Sequence, residues 1–250
     1  MTLELEVVLR CSEAALALVL LQQCAEHLLP GAGARTSRLG SPSAALLAVL
    51  RVPLALLLLS GLQPLPALVG LAVLALASLL RFDGPYNGGS DRLGMLMLAC
   101  LLAARLFPEA GPADGRLPEA MVPRMALGYL ALQLVASYFF AGWVKLVNPA
   151  WRSGEALREV FAFSAYPVSE SLRGWARWPR LLRAMAWGVI LLELAFPLAL
   201  LDARLLWAAL SLAALFHLAN ALLFGLNRFL WTWLAAYPAL LWFQQQLPLS

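Results

Sequence analysis

The chain has 250 residues, of which 62% are hydrophobic and 13% charged, with a mean hydropathy of +0.78 and a formal charge of +4. A soluble domain of this size carries about a quarter charged residues, so this composition cannot solvate a water-facing surface and excludes an ordinary soluble fold. The charge is too small and too spread for a nucleic-acid partner and fits attraction to membrane lipids instead. Cys11, Cys24 and Cys100 show no paired spacing, and with only His27 and His217 beside them no metal site or disulfide framework is indicated. The start, Met1 to Glu6, is acidic where a signal peptide is basic, so no cleaved targeting segment is expected.

Apolar runs of the length that crosses a ~30 Å hydrocarbon core recur along the sequence. They predict an all-α fold: one membrane domain over residues 1–250, a polytopic bundle of about eight spans. The spans are predicted at Leu5–Leu29, Ala44–Leu62, Leu65–Leu80, Leu93–Phe107, Met125–Val147, Ala184–Leu201, Leu205–Gly225 and Phe229–Leu247. The first is the most polar, with Glu6, Arg10 and Glu13 spaced to pair along one face. In the second, Arg51 precedes Pro53, which frees a carbonyl and kinks the helix; buried pairing or snorkelling would satisfy Arg51 and also Arg105, near a helix end.

The connections alternate between two sides. One side holds Arg35, Arg38, Arg81, Arg92, Arg152, Arg158, Arg173, Arg177, Arg180, Arg183 and Arg228, against Arg10, Arg116, Arg124 and Arg204 on the other. Arginine-rich ends stay cytoplasmic, which predicts both termini outside. On the basic side, the turn Phe82 to Asp91 contains Asn87-Gly88-Gly89, whose glycines allow positive φ and close backbone approach. It reads as a tight interhelical turn or as part of a pocket. The connection of about 148–183 predicts an interfacial helix, with Arg173, Arg177 and Arg180 on one face beside Trp175 and Trp178.

Ionisable groups within apolar helices cost roughly 2.5–3.5 kcal/mol each on insertion scales, so they face a bundle interior or a wet cavity. Tyr138, Ala141 or Gly142, and Lys145 share a helical face, and the small pair admits another helix. Lys145 near a helix end reads as a snorkelling residue or as a base held partly dry. His217, Asn220 and Asn227 fall on one predicted face. By the helical rise, His217 and Glu193 each lie roughly 12–13 Å inside the same side, where the two could meet as a proton relay or as a structural hydrogen bond. The loop, Lys145 and the His217 face converge on one leaflet.

The stretch Ser137-Tyr138-Phe139-Phe140-Ala141-Gly142-Trp143-Val144-Lys145-Leu146, then Pro149-Ala150-Trp151-Arg152-Ser153-Gly154, resembles the HTTM (horizontally transferred transmembrane) family, the membrane domain shared with vitamin K-dependent gamma-carboxylase. Glu193, Phe216-His217, Asn220 and Asn227-Arg228-Phe229 continue the likeness in order. It implies an enzyme acting on a quinone or hydroquinone, or on another hydrophobic small molecule. Lys145 would be the catalytic base, with His217 and Glu193 relaying protons, and Asn87, Gly88, Gly89, Tyr138 and Asn220 contacting the ligand. The carboxylase's Asn-Asn-His-Ser stretch falls on Asn87-Gly88-Gly89-Ser90, where two of the four residues are glycine, and its peptide-binding portion has no counterpart. The resemblance therefore implies a quinone-like ligand more firmly than glutamate carboxylation. A non-catalytic binding or peptide-maturation factor with a peptide or protein partner is the alternative, and a small transporter a third reading.

Overall fold

The structure is a computed structural model that describes residues 3–28, 42–80, 88–108, 120–163 and 170–248. Among the described residues the chain is all helix, with no strand. The helices are α1 Leu5–Leu28, α2 Pro42–Ser60, α3 Pro64–Leu80, α4 Gly88–Leu106, α5 Met121–Val147, α6 Pro149–Ser153, α7 Glu155–Phe163, α8 Glu170–Arg173, α9 Pro179–Ala195, α10 Ala203–Phe224 and α11 Asn227–Gln245. Single 3-10 turns occupy Gly174–Arg177 and Phe196–Leu201. Each predicted apolar segment coincides with a long helix, except that Ala184–Leu201 leaves α9 at Ala195 for a 3-10 segment, and α4, α5 and α9 begin earlier than predicted, at Gly88, Met121 and Pro179. Hydropathy marks where apolar residues start, whereas a helix starts where its backbone can be closed, which for α9 is the proline at its first position.

Among the described residues, three helical segments are long and apolar enough to cross a membrane: Met121–Val147, Pro179–Leu201 and Ala203–Phe224. The helices α2 and α3 contribute the shorter apolar runs Ala45–Ser60 and Pro64–Ser78. Burial is inverted relative to a soluble protein. Leu222 is 74% and Trp207 60% exposed, while Glu13, Glu193 and His217 are buried. An apolar exterior around polar contacts is the arrangement lipid selects.

The chain forms two compact units, Met1–Leu132 with Trp231–Gln246, and Gln133–Leu230 with Leu247–Ser250. In the first, α1 packs on α2, α2 on α3, α3 on α4, and α4 returns to α1. Ala17, Ala55 and Ala67 are fully buried, and such small residues let helix backbones approach where lipid removes the usual hydrophobic drive. Polar groups fasten these helices. Glu13 has no exposed surface and accepts from Arg10 one turn earlier and from Arg105 Nε of α4 at 2.5 Å. Arg105 also donates to Glu6 at 2.8 and 3.0 Å. Arg10 reaches the Leu58 carbonyl at 3.4 Å, beside the left-handed Gly61 that follows α2. Arg51 donates to Ser78 Oγ at 2.5 Å and to the Leu74 carbonyl at 3.4 Å, so its role is to tie α2 to α3. An apolar groove between these two helices, lined by Leu50, Pro53, Leu54, Gly70, Val73 and Leu74, offers no polar side chain.

In the second unit, α5 ends at Val147 and the chain turns at once. Asn148 caps α6, accepting from Ala150 N at 2.9 Å, and Pro149 takes the first helical position. Gly154 closes α6 at φ +85°, and a Cβ there would lie 2.7 Å from the backbone nitrogen of Arg183. Two contacts seat α6 on α9: Trp187 Nε1 to the Arg152 carbonyl at 3.2 Å, and Arg183 Nε to that of Ser153 at 3.4 Å. Gly154→Ala is expected to destabilise this unit by about 2–4 kcal/mol, left-handed strain adding to backbone overpacking. A lower thermal midpoint in detergent checks this; an unchanged midpoint would mean α6 does not rest on α9.

Beside α6, α7 packs on α9, with Phe161, Leu182 and Phe224 as a small core. The half-buried Glu155 on α7 is paired with Arg158, Nε to Oε2 at 2.8 Å, and this guanidinium holds its carboxyl below the usual range. One expectation needs correction. Arg173, Arg177 and Arg180 do not lie on one helical face, because α8 gives way to a 3-10 turn and Trp178 breaks the backbone before Pro179. Proline at 179 cannot donate to a continuing ladder, so α9 starts afresh.

Candidate functional site

The carboxyl-terminal half of α5 carries Tyr138, Gly142 and Lys145 on one face, as their spacing requires. Gly142 decides how near α9 can come. A Cβ there would meet the backbone nitrogen of Leu194 at 2.8 Å and Glu193 Cβ at 2.9 Å. This closeness brings Lys145 to Glu193. The Nζ donates to both carboxylate oxygens, at 2.9 and 2.7 Å, and to the Ala141 carbonyl at 3.4 Å. The side chains are 16% and 5% exposed, so the pair is largely withdrawn from its surroundings. The Lys145 ammonium also lies over the Trp151 ring, 5.3 Å from its centre. A charge-assisted contact to both oxygens and an aromatic face together hold the amine in one place.

Two turns back along α5, roughly 10 Å by the helical rise, Tyr138 makes the second polar contact. Its hydroxyl lies 2.9 Å from His217 Nε2 of α10, one of the two donating to the other. The Tyr138 ring stacks on Phe196 at 4.0 Å between centres, and Phe216 lies 5.1 Å from the imidazole. Phe196 opens the 3-10 turn after α9, where Pro197 follows. Asp202 caps α10, accepting from Arg204 N at 2.8 Å and Leu205 N at 3.2 Å. Gly225 ends that helix in the left-handed region. The bounded helix sets the depth of His217, which is 3% exposed.

The structure therefore brings together Lys145, Glu193, Tyr138 and His217. Glu193 and His217, read from sequence as potential partners of each other, each bond to a different residue of α5. Asn220 is half-buried, and its backbone carbonyl accepts from Leu226 N at 3.3 Å. Asn227 does not share the His217 face: Gly225 terminates α10, and Asn227 opens α11. Gly88 and Gly89, expected in a loop, form the first turn of α4 in the first unit. Asn87 lies outside the described residues. Among the described residues no group of three His, Cys, Asp or Glu could hold a metal ion.

Sequence reasoning missed two contacts to this site, the Trp151 ring over Lys145 and the Phe196 ring under Tyr138. Trp151 falls past a helix break, where periodicity carries no information. Phe196 had a usable signal: it follows Glu193 by three residues and precedes a proline, so it continues the Glu193 face as α9 ends.

A family model described as the HTTM domain matches residues 93–245, more than half of the chain. The match runs from α4 to the end of α11 and contains Tyr138, Lys145, Glu193 and His217. No curated protein and no solved structure matches the chain. With its apolar exterior and three helices of spanning length, the chain is a membrane protein and belongs to the HTTM domain family.

Proposed function

We propose that this is a multi-pass enzyme of the cell membrane, similar to the membrane domain of vitamin K-dependent gamma-carboxylase, that binds a quinone-like ligand and deprotonates its hydroquinone form. The observation that carries this reading is the withdrawn Lys145–Glu193 pair. In water such a pair is fixed as ammonium and carboxylate. In a dry interior, where isolated charges are costly, the neutral amine and carboxylic acid become an accessible alternative holding the same single proton. In that form Lys145 accepts a proton from a hydroquinone hydroxyl. The products are the ligand anion and the Lys145 ammonium, which pair with each other, while Glu193 keeps the proton taken from Lys145. Tyr138 and His217 form a second hydrogen-bonding pair that would orient the ring or pass protons on. Asn220 is proposed as a further ligand contact.

A second reading has its own support. The same bidentate contact that seats Lys145 also satisfies it, as in a structural pair, which favours a non-catalytic binding or maturation factor. Mass spectrometry of material co-purified from native membranes separates the two. A quinone retained by the wild type and lost in Lys145→Met/Glu193→Met, a substitution that leaves no orphaned charge, supports the enzyme. Phospholipid alone in both supports the structural pair.

We also propose about eight spans, comprising α1 to α5 and α9 to α11, with the arginine-rich connections cytoplasmic and both termini outside. Cysteines placed at Ser43 and Ser171 are expected to react with a membrane-impermeant reagent from the cytoplasmic side, and one at Ala113 from the other. Reaction of all three from one side would overturn this topology.

A further inference from the structure

Arginines collect where the apolar segment Pro179–Leu201 begins. Arg152 of α6, Arg177 at the end of the 3-10 turn, and Arg180 and Arg183 of α9 are all exposed. None of the four is ion-paired among the described residues. They are held in place: α6 rests on α9 through Gly154, through Trp187 to the Arg152 carbonyl, and through Arg183 to the Ser153 carbonyl. Trp178 stands between Arg177 and Pro179 with 65% of its surface exposed. Arg173 is different. It donates to the Phe161 and Ala162 carbonyls, at 3.4 and 2.9 Å, which closes the end of α7. Of the carboxylates on α7, Glu155 is occupied by Arg158 and Glu159 is exposed, so the corner keeps a positive excess.

A helix of spanning length that starts at Pro179 puts this corner at the level of the headgroups. Tryptophan is favoured there because its ring is half apolar, and guanidinium is matched to phosphate oxygens by its paired donors. We infer that Arg152 of α6, together with Arg177, Arg180 and Arg183 around the start of α9 where Trp178 is exposed, forms a binding surface for the phosphate headgroups of anionic phospholipids. The corner selects these over zwitterionic lipids through its uncompensated charge. This is independent of any reaction at Lys145.

The test uses the full chain reconstituted in phosphatidylcholine bilayers containing a minor share of phosphatidylglycerol, with retained lipids counted by native mass spectrometry. Each basic residue at such a surface contributes about a fivefold preference, which is about 1 kcal/mol. The wild type is expected to retain phosphatidylglycerol above its share. Arg152→Gln/Arg177→Gln/Arg180→Gln is expected to lose that enrichment by about tenfold or more. The corresponding triple lysine variant, which restores charge, is expected to keep most of it. Arg173→Gln is expected to retain the enrichment while unfolding at lower temperature. Unchanged enrichment in the glutamine triple would overturn the inference. So would an equal loss in Arg173→Gln.

Discussion

Lys145→Met is expected to destabilise the second unit by about 3–5 kcal/mol, the cost of removing one partner from a buried ion pair. The orphaned group is the Glu193 carboxylate, 5% exposed and, among the described residues, bonded only to Lys145. It must then stay charged in a dry setting or take up a proton. Removing both groups costs far less, because well-packed apolar residues replace a buried pair at little or no loss. Lys145→Met/Glu193→Met should therefore recover most of the stability lost in the single variant. Lys145→Arg should remain near wild type, since guanidinium can also meet both carboxylate oxygens. Denaturant titration in detergent micelles reads all three. A single variant as stable as the wild type would mean the pair is solvated.

A loss of similar size, again about 3–5 kcal/mol, is expected for Glu13→Leu in the first unit. Glu13 is fully buried and stands between two arginines from different helices. Leucine fills the space but leaves Arg10 without its carboxylate and, among the described residues, leaves Arg105 paired only with Glu6, whose side chain is 63% exposed. Glu6→Gln is the control. An exposed ion pair contributes about 0–1 kcal/mol, so its loss should hardly move the unfolding midpoint. Equal effects of the two substitutions would place the anchor between α1 and α4 elsewhere.

The long helices were legible because lipid imposes a simple rule: backbone groups must be satisfied within the segment, so an apolar run of sufficient length is a helix. Their ends were less legible, as α9 illustrates, since the cap at Trp178–Pro179 depends on backbone geometry. The site was legible in parts. Helical spacing alone placed Tyr138, Gly142 and Lys145 on one face, whereas the depth argument expected Glu193 and His217 to meet, and each instead bonds a different residue of α5. Which partner each would take depended on how near α5 and α9 approach at Gly142; the small pair at 141–142 signalled that a helix could come close, but not which one. Arg105 shows the same limit: its position near a helix end was visible, but not its bond to Glu13 across the unit, because sequence separation hides tertiary pairing. The expected arginine stripe failed for a local reason, the break at Trp178.

The central claim is that Lys145, held by Glu193, takes the proton of a hydroquinone hydroxyl. Anaerobic titration of the reconstituted protein with a naphthohydroquinone tests this directly, because the anion absorbs at longer wavelength than the neutral form. The wild type is expected to bind it as the anion. Lys145→Arg, folded and with its Glu193 contact kept, is expected to leave the bound ligand neutral, since guanidinium does not release its own proton and so cannot accept another. The anionic spectrum appearing with Lys145→Arg, or a wild type that binds the ligand only in its neutral form, would contradict the account.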